Sequence, residues 1–121
     1  MTALSQRSAR AVLDDHLRLS QSGTIEEDLT RNYAKDLVVL CTRGIYHGHE
    51  GLQQVNQFLN QELPSATFEY KTILTSGEIG FLEWTAHAEN GIVKDGADSY
   101  LIRDGKIVAQ TIHYTIEKPS Q

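Results

Sequence analysis

Two acidic side chains in the second half of the chain, Glu83 and Asp98, carry the strongest suggestion of chemistry. The dipeptide Asn90-Gly91 tolerates positive φ, so it predicts a tight hairpin in which Glu89 pairs with Ile92. Counting outward from that turn places Glu83 opposite Asp98, on one face with Thr85 and His87. Two adjoining carboxylates cannot both ionise cheaply. The spacing therefore predicts either a solvated pair at an open face or one acid whose raised pKa lets it donate a proton near neutrality. The second arrangement suits acid–base chemistry at carbon, in which one group polarises a carbonyl oxygen and another moves the neighbouring proton.

A second hairpin decides what surrounds Asp98. A two-residue Asp104-Gly105 loop puts it on a face with His113. A three-residue Arg103-Asp104-Gly105 loop with a glycine bulge puts it with Tyr100, Val108, Gln110, Ile112 and Tyr114. That set is larger and more apolar, and it is the expected pocket lining. His16 lies in the helical stripe Ala9, Val12, Leu13, Leu17 and Ser20, so it faces a core or a cavity, either as a satisfied core histidine or in contact with a ligand.

The remaining reactive types are weaker. Cys41 closes the apolar run Leu37–Leu40 and reads first as a small core residue at the pocket wall. His47 and His49 form an H-x-H pair without a third donor at supporting spacing, so neither metal nor any other cofactor is expected. Trp84 has the opposite strand parity from Glu83. It is expected on the outer sheet face with Ala86, Leu101 and His113, under a second copy of the chain.

These residues need a scaffold. The chain has 121 residues, 40% of them hydrophobic and 22% charged, which predicts one domain over 1–121 with its core at about 8–117. The longest apolar run, Leu37–Cys41, is far too short for a membrane span, and no basic-then-apolar leader opens the chain, so a cytoplasmic location is expected. A formal net charge of −5 argues against nucleic acid and anionic membrane as partners.

Helical spacing predicts a first helix over Ser8–Ser20. A Thr24/Glu27 capping box starts a second helix carrying Ile25, Leu29 and Tyr33, and Leu52, Val55, Leu59 and Leu63 mark a third that stops at Pro64. Strands are expected at Leu37–Thr42 and Ile45–His47, then four longer antiparallel strands after Pro64. The order implies an α+β fold with three N-terminal helices packed on a strongly curved, mainly antiparallel sheet, a cone with a pocket at its mouth.

That order, with three local patterns, resembles the nuclear transport factor 2-like superfamily, in its SnoaL-like polyketide cyclase and ketosteroid isomerase branches. Tyr33-Ala34-Lys35-Asp36-Leu37-Val38-Val39-Leu40 is similar to the family's F-A-D-D-A-x-V entry to the first strand. Gly48-His49-Glu50-Gly51-Leu52 resembles its G-x-x-G-I helix start, and Asp98 to Ile107 resembles D-x-F-x-F-x-x-G-K-I. The resemblance implies the cone fold, and it places Asp98 at the oxyanion-hole acid of the isomerases and His16 at the oxyanion-hole tyrosine. Cys41 stands where the isomerase base stands, and a thiol is a poor shuttle for carbon-bound protons. The Asp-Arg-Asp set of the limonene epoxide hydrolase branch is also absent, its positions being taken by Thr85, Glu83 and Ile112.

The expected site therefore has Asp98, His16 and Glu83 as catalytic groups and Cys41, His87, Tyr100, Gln110, Ile112 and Tyr114 as substrate contacts. The expected activity is cofactor-independent isomerisation, cyclisation or dehydration of a small, partly hydrophobic carbonyl compound by enolisation, in a homodimer. The alternative is a non-catalytic ligand-binding or protein-association module of the same fold.

Overall fold

Ser8 and Thr24 begin the first two helices as their residue types require. Ser8 Oγ accepts from Ala11 N and Thr24 Oγ1 from Glu27 N, each filling one of the donors a helix start leaves open. In the computed structural model, which describes residues 3–118, a short 3-10 turn at Leu4–Gln6 precedes α1 (Ala9–Ser22) and α2 (Ile25–Asn32). Next come β1 (Tyr33–Cys41), β2 (Gly44–His47), α3 (Gly48–Glu62), β3 (Thr67–Ser76), β4 (Ile79–Ala88), β5 (Gly91–Arg103) and β6 (Lys106–His113). The six strands form one curved, unclosed sheet in the order β2-β1-β6-β5-β4-β3. Only the β1–β6 contact is parallel; the other pairs are antiparallel.

The core lies between the helices and one face of this sheet. Val12, Leu13 and Leu17 of α1, Leu29 of α2 and Leu52 and Val55 of α3 are buried against Leu37, Val39, Leu82, Val93 and Ile107. Among the described residues no helix is long and apolar enough to cross a membrane.

Sheet register departs from expectation in both hairpins. In the first, Ala88 pairs with Gly91, so the loop is Glu89-Asn90 and not Asn90-Gly91. Gly91 has no positive φ; it is glycine because a Cβ there would meet Ile116 Cγ2 at 2.9 Å and Leu63 Cδ2 at 3.3 Å. A bulge at Lys94-Asp95, opposite Thr85, then shifts β5 by one residue. Glu83 therefore pairs with Ala97, and Asp98 pairs with Leu82. The predicted Glu83–Asp98 pair does not exist: Glu83 and His87 point outward and are exposed.

The same shift turns Trp84 and Ala86 inward, against the expectation of an outer-face position; they are 5% and 2% exposed. Gly96 lies opposite Trp84, and a Cβ there would run into the indole. In the second hairpin Arg103 pairs with Lys106 around a two-residue Asp104-Gly105 turn, both residues at positive φ, which is shorter than the loop expected. An irregularity between Leu101 and Ile102 restores the parity, so Asp98 pairs with Ile112 and Tyr100 with Gln110, while His113 points outward.

Candidate active site

Between the helices and the sheet lies a partly open cavity of about 240 Å³. His16 enters it from the buried stripe of α1. Its Nδ1 is 2.7 Å from Asp28 Oδ2, and Asp28 Oδ1 accepts from Asn32 Nδ2 at 2.9 Å, one turn further along α2. Both acidic partner and amide are buried, Asp28 at 3% and Asn32 at 0% exposure. A carboxylate can only accept, so His16 Nδ1 carries the hydrogen and, in the neutral ring, Nε2 keeps a lone pair. The Tyr33 hydroxyl lies 3.5 Å from Nε2, and that hydroxyl donates to Gln110 Oε1 at 2.6 Å. The Nε2 lone pair is thus left for the cavity, and a proton placed on it would meet the Tyr33 oxygen.

The opposite wall is built around Asp98. Its Oδ1 accepts from Trp84 Nε1 at 3.0 Å, and its Oδ2 accepts from Gln110 Nε2 at 3.0 Å and the Tyr100 hydroxyl at 3.1 Å. Burial pushes the Asp98 carboxyl above the ordinary carboxylate value; the three donors oppose that rise without cancelling it. Burial also raises the Tyr33 and Tyr100 phenols well above their ordinary value, and the Asp28 and Asp98 charges add to the effect for Tyr33, so both stay protonated donors. His16 joins the walls through edge contacts with the rings of Tyr33 and Tyr100, at centroid distances of 5.4 and 5.7 Å. The rest of the lining is largely apolar, from Leu52 and Leu59 of α3 and Phe68, Leu82, Trp84 and Ile112 of the sheet.

Of the expected site residues, the cavity gathers His16, Asp98, Tyr100, Gln110 and Ile112. It does not gather Glu83 or His87, which the one-residue register shift sends to the outer face. Tyr114 packs against Trp84 with the rings tilted and their centroids 5.7 Å apart, donates to Glu62 at 2.6 Å, and lies outside the lining. Cys41 pairs with Ile112 at the strand end and packs against the core, also outside the lining. His49 Nε2 bonds the Tyr33 carbonyl oxygen. Among the described residues no three His, Cys, Asp or Glu side chains converge as a metal site would require.

Sequence reasoning missed Asp28, Asn32 and the cavity-lining Tyr70, gave Tyr33 no site role and put Trp84 on the outer face. A signal for Asp28 was present. It lies three residues after Ile25 and four before Asn32, so it shares the buried stripe of an amphipathic helix, where an unpartnered acid is costly.

The profile of the SnoaL-like domain matches residues 13–110. No curated protein matches the chain in sequence. Among solved structures, a nuclear transport factor 2-like protein of unknown function from Burkholderia xenovorans superposes with a TM-score of 0.75 at 16% identity, covering 98% of this chain and 91% of that one. IdmH from Streptomyces antibioticus, a proposed polyketide cyclase, superposes with a TM-score of 0.72 at 19% identity over 89% and 92% of the two chains. A proposed ketosteroid isomerase from Kribbella flavida gives 0.73 at 16% identity over 93% and 83%. At these identities the structural likeness speaks for the fold alone, while the profile match spans most of the chain: this protein belongs to the SnoaL-like domain family and has the nuclear transport factor 2-like fold.

Proposed function

We propose that the cavity binds a small, partly hydrophobic carbonyl compound and transfers a proton on it, as an isomerase, cyclase or dehydratase that works through an enol. The observation that carries this reading is the 2.7 Å contact between His16 and Asp28, which orients an imidazole lone pair into a cavity with an otherwise largely apolar lining. His16 Nε2 takes the proton from the carbon next to the carbonyl. Asp28 then faces the resulting imidazolium on one side and the Tyr33 oxygen on the other, so the developing charge is met on both ring nitrogens. Asp98, with its carboxyl pushed upward by burial, is the group on the far wall suited to the developing enolate oxygen when protonated. Glu83 and His87 have no part in it.

The volume narrows the substrate. About 240 Å³ lies below the roughly 300–1,000 Å³ of pockets that hold drug-sized ligands, which favours a one- or two-ring molecule over a four-ring steroid. The proposed cyclase and isomerase among the structural neighbours lend support to carbonyl chemistry of this class. The test is exchange of α-protons with solvent deuterium, followed by NMR for a panel of small cyclic ketones and enones. The reading expects protein-dependent exchange that His16→Gln abolishes. Binding without exchange across the panel would point instead to a non-catalytic carrier.

The same reading includes a second copy of this chain on the outer sheet face. Strand pairing aligns Ile45, Leu40, Thr111, Ser99, Phe81 and Leu74 in one outward row across all six strands, and the next row includes Val38, Ala109, Leu101 and Ile79. Leu40, Ile45, Leu74 and Ile79 are 45%, 67%, 59% and 61% exposed. A contiguous apolar face of this kind supports a two-fold contact between identical surfaces.

A further inference from the structure

Each of the three helices lining the cavity steps from buried to exposed within about one turn. On α1, His16, its side chain 12% exposed, is followed by exposed Ser20. On α2, buried Asp28 is preceded by exposed Thr24, and on α3, buried Leu52 is followed by half-buried Asn56 and exposed Asn60. A four-residue step rises about 6 Å along a helix axis. His16 and the buried Asp98 therefore lie at the inner end, and Ser20, Thr24, Asn56 and Asn60 form the mouth.

This mouth is polar but uncharged. Ser20 Oγ donates to the His16 carbonyl at 2.9 Å and Thr24 Oγ1 caps α2, whereas the Asn56 and Asn60 amides have no hydrogen-bond partner among the described residues. Asn56 also interrupts the apolar stripe Leu52, Val55 and Leu59 in mid-helix, where asparagine is a poor helix former, so neither packing nor helix formation explains its type. Among the described residues no lysine or arginine lines the cavity, whose ionisable side chains are His16, three tyrosines and the carboxyls of Asp28 and Asp98. The positive end of α2 at the mouth is already met by Glu26, Glu27 and Asp28 in its first turn. An anionic group there would leave water for a wall that holds no cation to receive it.

We infer that the substrate is uncharged and carries a second polar function, a hydroxyl or a further carbonyl, about one ring's width from its reacting carbonyl, where the Asn56 and Asn60 amides receive it. This rests on the reading of the inner end as the carbonyl site, but its test separates the two. Chemical-shift titrations compare three probes: cyclohexanone, the same ketone with a hydroxyl across the ring, and the same ketone with a carboxylate there. They are run on the wild type and on Asn56→Leu combined with Asn60→Ala, with α-proton exchange followed in the same samples. The wild type should bind the hydroxy ketone roughly 3- to 10-fold tighter than cyclohexanone, the worth of a neutral hydrogen bond, and the carboxylate at least roughly tenfold more weakly than the hydroxy ketone. The double variant should bind the hydroxy ketone no better than cyclohexanone. A carboxylate that binds the wild type as well as the hydroxy ketone overturns the inference, whatever the fold of the variant. A hydroxyl preference that survives in the folded double variant, or no binding by any of the three ketones, also overturns it. The expected preferences in a protein that exchanges no ketone uphold the inference and remove the catalytic reading, and exchange without those preferences does the reverse.

Discussion

Asp28 Oδ2 lies 2.7 Å from His16 Nδ1, across the gap between the first two helices, and this contact aims the other ring nitrogen into the cavity. The pair is held by packing on one side, in the buried stripes of α1 and α2, and by the Asn32 amide on the other.

Asp28→Asn should reverse the tautomer. Asn32 continues to donate to the side-chain oxygen at position 28, so the new amide must turn its NH2 toward His16 Nδ1 and force the hydrogen onto Nε2. The expected result is a loss of roughly 10²–10⁴-fold in α-proton exchange, the usual range for removing a general base. Fluorescence of Trp84, the single tryptophan and a cavity-wall residue, should report ligand affinity changed by only a few-fold.

Glu83→Gln and His87→Gln should leave both exchange and ligand affinity at wild-type levels. Both residues are exposed on the outer face, where substitutions change stability by less than about 0.5 kcal/mol. A strong effect of either on exchange would mean that the β4–β5 register differs in solution.

Asp98 should make stability fall as pH rises. Burial lifts its folded-state pKa above that of the unfolded chain, which is near 4, so between those two values the native state holds the proton more tightly. This contribution is complete below the unfolded value and is lost as pH climbs through the folded one. Thermal midpoints of wild type and Asp98→Asn, measured from pH 4 to 8, should therefore diverge, with the wild type gaining relative to the variant on acidification. Parallel profiles would contradict the shift. Asp15 has the opposite sign: burial raises it, but Arg31, Arg18 and Asn32 outweigh that and hold it well below the carboxylate range, so its stabilisation fades only in strong acid.

Gly96→Ala should destabilise the fold by about 1–3 kcal/mol, the usual cost of overpacking. The added methyl meets the Trp84 indole, which is held in place by Asp98 Oδ1. Urea unfolding measures the loss, and the Trp84 emission should shift as the ring moves.

Leu74→Lys combined with Ile79→Lys should convert a dimer to a monomer in analytical ultracentrifugation while leaving the cavity intact. Both side chains stand on the outer face and are more than half exposed in the single chain. An unchanged sedimentation coefficient would place the contact elsewhere.

Much of the fold was legible because its signals are local. Ser8, the Thr24/Glu27 box and Pro64 mark helix ends, and the apolar spacing of α1 and α3 shows which side they bury. Sheet register was less legible, since it depends on where a turn closes and where a bulge falls. Asn90-Gly91 resembles a hairpin turn, but Gly91 is glycine to make room for Leu63 and Ile116, a reason that only tertiary packing reveals. The turn error alone would have kept Asp98 on the Glu83 face; the unforeseen bulge opposite Thr85 exchanged Glu83 for Leu82 beside Asp98 and turned Trp84 inward. In the β5–β6 hairpin two departures cancelled, a shorter turn and an irregularity at Leu101/Ile102, so Tyr100, Gln110 and Ile112 share Asp98's face. Asp28 stayed hidden because a single acid in a short amphipathic helix is ordinarily read as surface.

The most direct measurement is a crystal structure with a small phenol, a planar mimic of an enolate, soaked into the protein. The predicted result is a ring seated among Leu52, Leu82 and Trp84, with a ligand atom within hydrogen-bond reach of His16 Nε2, at about 2.6–3.2 Å. A phenol seated in the cavity with its oxygen out of reach of His16 Nε2, or bound only outside the cavity, would contradict His16 as the proton-transferring residue.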